Sequence, residues 1–145
     1  MISIVLHVMK DLKPYEEEIL LKNFVFISPN FPTNYWMFCR ELKKNGLNVL
    51  GIGDQPYDEL SNDLKDSLNE YYKVSNLEND DEVYRAVAFF IFKHGRIDWL
   101  ESNNEYWLER DARLRTDFNI TSGFQVSDIP HIKYKSKMKE FYKKA

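Results

Sequence analysis

The chain has 145 residues, 43% of them hydrophobic and 30% charged, which suits one domain with a core of its own. High aromatic content (15%) with only five glycines and five prolines excludes a disordered or collagen-like chain, and a net charge of −3 gives no general attraction to nucleic acid. No apolar run approaches the roughly 20 residues that cross a bilayer, and the single cysteine, Cys39, rules out an intrachain disulfide or a cysteine metal cluster. These features predict a soluble protein of the reducing cytoplasm.

Residues 2–9 (ISIVLHVM) read as a short strand; they contain a histidine and lack a basic flank, unlike a signal peptide. Lys10 to Lys22, with Pro14 and three consecutive glutamates, reads as a linker or short exposed helix. Phe24-Val25-Phe26-Ile27 is a buried strand ended by Ser28-Pro29-Asn30-Phe31-Pro32. A helix follows with Thr33 or Asn34 as N-cap; its apolar positions Tyr35, Phe38, Cys39 and Leu42 recur at helical spacing, and Asn45-Gly46 closes it. Leu47 to Ile52 is a second strand, Asp54 to Tyr57 a turn, Leu60 to Leu68 a weak polar helix and Tyr71 to Val74 a third strand. Asp80-Asp81 suits a helix start, and Val83 to Phe92 is apolar almost all round, which predicts a deeply buried helix stopped by Gly95. Ile97 to Leu100 is a fourth strand. Glu105 to Phe118 is an amphipathic helix with Leu108, Ala112 and Arg115 on one line and Trp107, Leu114 and Phe118 on another. Asn119 to Pro130 reads as loop, and Tyr134 to Ala145 as a last helix with Tyr134, Met138, Phe141, Tyr142 and Ala145 on a shared face.

Strand and helix alternate four times between Asn23 and Phe118, so the expected fold is α/β: a short parallel sheet in a three-layer, Rossmann-like unit with right-handed crossovers. Ligands in such sheets sit beyond the carboxyl ends of the strands. That rule selects three loops, 28–32, 53–57 and 101–105.

Most chemical signals have plain structural explanations. Gly51-Ile52-Gly53 fails as a dinucleotide fingerprint: the third glycine position is Pro56, and the motif follows the second strand of the unit. No acids cluster after the first strand, which removes a receiver-domain reading. His7, His94 and His131 are not spaced as metal ligands, and Cys39 lies on the apolar line of its helix. Tyr35, Trp36, Trp99, Tyr106 and Trp107 suit core and rim packing, although Tyr35 and Tyr106 open helices at the ligand edge. Asn103 or Asn104 serves as a helix cap, but capping leaves Glu101 and Glu105 unexplained at the open edge of the sheet, and Glu105 is the candidate site residue there. Charge is segregated: ten acids against two lysines lie between Asp54 and Glu82, and six lysines against Glu140 lie beyond His131. A solvated acidic face and a basic terminal helix account for this, or the basic tail faces an anion.

The order of these signals resembles the pre-ATP-grasp domain that leads many ATP-grasp ligases. The matching segments are Phe24–Ser28 with its loop, Asn48–Asp54, Tyr71–Val74, Ile97–Glu105, and the stretch from Arg113 to Ile120 leading to Gly123. The final segment, Tyr134 to Ala145, looks like that family's helix reading Asp-Lys, seven residues, Met or Phe, then Lys-Lys-Ala-Gly; Lys135 lies ten residues before Ala145, as in the family. The resemblance covers roughly residues 23–145. Tyr134 departs from it, standing where an aspartate is common, and the first 22 residues have no counterpart.

The resemblance implies a substrate-binding N-terminal domain of an ATP-dependent carboxylate-amine or related ligase, in which ATP activates a carboxylate as an acylphosphate. Lys135 would neutralise an ATP phosphate, and Asn30, Asp54 and Glu105 would line the substrate side of the cleft. ATP and Mg belong to the full-length enzyme, and none is expected bound to this chain, which would be inactive alone. Expected partners are a C-terminal ATP-grasp domain and a small carboxylate substrate, with a homodimer possible through the last helix, and neither nucleic acid nor membrane. The implied organisation is an N-terminal strand and linker (1–22), the pre-ATP-grasp domain (23–130) and the first helix of the ATP-grasp domain (131–145). Alternatives from other classes are a stand-alone interaction or dimerisation module and a small Rossmann-like nucleotide-binding domain.

Overall fold

The computed structural model describes residues 21–133 and position 143. The expected strand at 2–9 and the expected helix at 134–145, Lys135 included, lie outside these residues.

Four strands, β1 (Asn23–Ile27), β2 (Asn48–Gly53), β3 (Glu70–Lys73) and β4 (Ile97–Glu101), form one sheet in the order β3-β2-β1-β4. Every pairing is parallel, with Val25 opposite Leu50 on one side and Leu100 on the other. The helices are α1 (Trp36–Lys44), α2 (Asn62–Ser67), α3 (Asp80–His94) and α4 (Leu108–Asp117). β1 and β2 read as near-continuous apolar runs because both their faces are covered. Val25, Ile27, Leu50 and Ile52 pack on one side with Val83, Ala86, Val87 and Phe90 of α3 and Leu114 of α4. Phe26 and Val49 pack on the other with Cys39 of α1, Leu64 of α2 and Leu68. Each of the Val, Leu, Ile and Phe side chains among them, taken fully out of water, contributes about 1.5–3 kcal/mol before entropy is counted. The result is the three-layer α/β arrangement anticipated from the alternation, compatible with a Rossmann-like fold.

Capping sets the helix ends. Ser61 Oγ accepts from the Leu64 amide (3.1 Å) to start α2, and Asn79 Oδ1 accepts from the Glu82 amide (3.3 Å) to start α3. Asp80, Asp81 and Glu82 occupy the first turn of α3, where the helix dipole favours negative charge.

Several boundaries differ from the sequence expectation. α1 begins at Trp36 after Tyr35, with no side-chain cap, so neither Thr33 nor Asn34 is the N-cap; a turn over 33–35 intervenes. Phe38, on the expected apolar line of α1, is half exposed, while Cys39 is fully buried. α3 is not buried all round: Phe92 is 88% exposed and Phe89 39%, because only one side of α3 meets the sheet. The helix expected over 105–118 divides into a 3-10 turn, Glu105–Trp107, and α4. Within the expected loop 119–130, Val126–Asp128 is a 3-10 turn and residues 129 and 130 are already helical, continuing through 133.

Candidate functional site

With every strand parallel, the loops after β1, β2 and β4 emerge at one edge of the sheet. The order β3-β2-β1-β4 means that the chain leaves β1 toward β2 and later returns to pair β4 on the other flank of β1. Such a reversal opens a crevice between neighbouring loops. Two residues there hold left-handed backbone within two residues of their strand ends, Ser28 (φ 59°) after β1 and Asn103 (φ 52°) after β4. Tyr35 Oη donates to the Asn103 carbonyl oxygen at 2.7 Å and ties the two loops together.

Beyond β4, Glu101, Asn103, Glu105, Asp111, Arg115 and Phe124 line a cleft of about 510 Å3. Its floor is a buried charged network. Ser102 Oγ donates to Asp111 Oδ2 at 2.5 Å, and both residues are buried. Arg115, only 2% exposed, donates from Nε to the Leu100 carbonyl oxygen (2.9 Å), from Nη1 to the Phe124 carbonyl oxygen (3.0 Å) and from Nη2 to Glu101 Oε2 (2.8 Å). Thus one guanidinium joins the end of β4 to the 120s turn. Gly123 is required there: its φ is +83°, and a Cβ at that position would meet Arg115 Nε at 2.9 Å.

Asp111 is the unusual group. Burial pushes its carboxyl up to about 6, against the Ser102 hydrogen bond and the charges of Arg115 and Arg110. Its second oxygen, Oδ1, is buried with no hydrogen-bond partner among the described residues. Arg110, next to it in sequence, lies with its guanidinium 3.8 Å from the Trp107 ring centre, gives Nη1 to the Leu77 carbonyl oxygen, and stands 3.5 Å from Asp80 Oδ1.

Glu105 is exposed in the 3-10 turn and also borders a second cleft, of about 550 Å3, with Tyr106, Arg110, Arg113, Ile132 and Lys133. Lys133 pairs with Glu109 of α4. Asn104, as one of the two expected caps, accepts through Oδ1 from the Tyr106 amide at 3.0 Å.

Asn30 and Asp54 lie elsewhere on the same edge. Asn30 Oδ1 is buried, has no hydrogen-bond partner among the described residues, and stands 3.0 Å from where a Gly53 Cβ would be. Asp54 is exposed; burial and its charge push the Tyr71 phenol up to about 12. Neither residue lines the two clefts that contain Glu105. The three loops therefore share an edge, but Asn30 and Asp54 form its β1–β2 side and Glu105 its far side. Gly53 is explained by packing, since a Cβ would come within 2.6 Å of Tyr71 Oη. Cys39 is a core residue whose thiol burial pushes up to about 12, unsuited to nucleophilic work.

Sequence reasoning overlooked Ser102, Arg110 and Asp111. A signal was present: Asp111 is three residues after Leu108 and four before Arg115, beside the line of Leu108, Ala112 and Arg115 on the same helix. Among the described residues no group of three His, Cys, Asp or Glu side chains could hold a metal ion, and no helix is long and apolar enough to cross a membrane. Compared with protein-family models, curated proteins and solved structures, the chain matches none.

Proposed function

We propose that this chain forms the substrate-binding wall of an ATP-dependent ligase that activates a carboxylate as its acylphosphate, with ATP and magnesium held chiefly by a further ATP-grasp lobe. One observation carries the reading. The segment leading to Lys135 borders the second of the two clefts that contain Glu105: Ile132 and Lys133 line it, in helical backbone starting at residue 129. The resemblance puts a phosphate-neutralising lysine two residues further along the sequence. The parallel sheet and its three loops at one edge support the same reading, because they provide a shallow, preformed surface against which a second lobe can close. Asn30 and Asp54 lie on the other side of this surface, so their part is to bound the substrate rather than to contact the same atoms as Glu105.

The reading assigns phosphate neutralisation to a cation and leaves metal binding to residues outside those described. Phosphoryl transfer depends on positioned charge, and this wall supplies only part of it. The test uses the whole reading frame in which the chain occurs. Lys135→Ala should weaken ATP binding by about tenfold, the loss of one charge-assisted contact. Unchanged ATP affinity would remove Lys135 from the site and the reading with it.

A further inference from the structure

The network beneath the cleft leaves one demand unmet. Ser102 has a single hydroxyl proton, and at 2.5 Å it goes to Asp111 Oδ2; Ser102 Oγ in turn accepts from the Asn104 amide at 3.3 Å. Asp111 Oδ1 therefore needs a donor from elsewhere, and Asp111 lines the cleft while being 97% buried, with a relative exposure of 3%. Buried acceptors in native structures are nearly always paired.

Charge narrows the choice of donor. Glu101, Glu105 and Asp111 contribute three carboxylates to the lining and Arg115 one guanidinium, whose Nε, Nη1 and Nη2 each already donate within the protein. An anion would meet net negative charge with the nearby cation engaged. A neutral hydroxyl or amide could satisfy Oδ1, but would gain nothing from the other two carboxylates. No three ligating side chains among the described residues are grouped for a metal ion. Leu108 and Phe124 add apolar wall, and about 510 Å3 is far more room than a bare ammonium ion needs.

We infer that this cleft is a subsite for an organic amine in its protonated form, the ammonium donating to Asp111 Oδ1 in the field of Glu101 and Glu105 while its carbon body lies on Leu108 and Phe124. The inference rests on the ligase reading only through Glu105, which borders both this cleft and the second one. Binding of this kind needs neither ATP nor a second lobe, so the two can fail separately. Asp111 ionises near pH 6. The groups that face it are Ser102 and Glu101 from β4 and its following loop, Arg110 and Arg115 from α4 and Glu105 from the 3-10 turn, so an ammonium should bind better above that pH than below it.

The experiment is an amide NMR titration of the 145-residue chain with n-butylammonium, n-butanol and butyrate as matched probes. n-Butylammonium should give saturable shifts at Ser102, Asn103, Asp111 and Gly123, at least about tenfold tighter than n-butanol, and butyrate should give none. Affinity should fall about tenfold between about pH 7 and about pH 5 as Asp111 takes up its proton. Asp111→Asn should abolish the ammonium preference. If that variant does not fold, Glu105→Gln, altered at an exposed side chain, should still weaken n-butylammonium binding severalfold. Equal shifts from butanol and butylammonium, no shifts at these residues, or undiminished affinity in Glu105→Gln would overturn the proposal, with water left as the partner of Oδ1. Binding of butyrate alone would overturn it too, while favouring the carboxylate wall of the ligase reading.

Discussion

Ser102 Oγ and Asp111 Oδ2 stand 2.5 Å apart, both buried, and this hydrogen bond fastens the residue after β4 to the first turn of α4. Arg115, one helical turn further on, holds Glu101 at 2.8 Å and the Leu100 and Phe124 carbonyl oxygens. Two buried polar side chains on the same face of α4 thus fix the loop after β4 from below. The cleft above is built on a rigid floor, which is what a binding surface requires.

The raised Asp111 pKa has a thermodynamic consequence. The native state binds this proton more tightly than the unfolded chain, whose value is the ordinary 3.8, against about 6 when folded. The stabilisation is therefore complete below about pH 4 and is lost as pH rises through about 6, an effect on the order of 2–3 kcal/mol. Urea unfolding of the parent and of Asp111→Asn across this window should show the parent losing stability relative to the variant. Parallel profiles would mean that Asp111 does not titrate in this way.

At Gly123 two effects add. Alanine would have to adopt φ +83° and place its Cβ 2.9 Å from buried Arg115 Nε and 3.2 Å from Glu101 Oε1. Gly123→Ala should cost about 2 kcal/mol in urea unfolding. A loss within a few tenths of a kcal/mol would show that the turn and guanidinium are not locked together.

Gly53 gives a different test, because the nearest obstacle is a hydroxyl, with Asn30 Oδ1 next at 3.0 Å. A Cβ there would lie 2.6 Å from Tyr71 Oη, which donates to the Gln55 carbonyl oxygen at 2.7 Å. Gly53→Ala should destabilise by about 1–3 kcal/mol. Adding Tyr71→Phe should recover part of that loss, so the two changes should be non-additive in a double-mutant cycle. Strict additivity would place the strain elsewhere.

The strands could be read from the sequence because both faces of this sheet are covered, so Val25, Ile27, Leu50 and Ile52 belong to unbroken apolar runs. Asn45-Gly46 and Gly95 marked helix ends for the same local reason. The face of a helix was harder to judge. Phe92 fits an all-apolar pattern yet points to solvent, since composition cannot say how much of a helix the sheet will cover. Conversely, Asp111 sits in Glu109-Arg110-Asp111-Ala112-Arg113, a run that looks solvated, and is buried because the neighbouring loop offers Ser102. The loops of the candidate edge followed from strand alternation. Which of their residues share a cleft did not, since that depends on the left-handed turns at Ser28 and Asn103.

The most direct test of the ligase reading is hydroxylamine trapping on the whole reading frame, supplied with ATP, magnesium and a panel of small carboxylic acids. An acylphosphate would be intercepted as a hydroxamate, so the account predicts hydroxamate and ADP formed together, in equal amounts, with at least one acid in the panel. ADP release that is indifferent to the acid, or no hydroxamate from an enzyme that binds ATP normally, would contradict it.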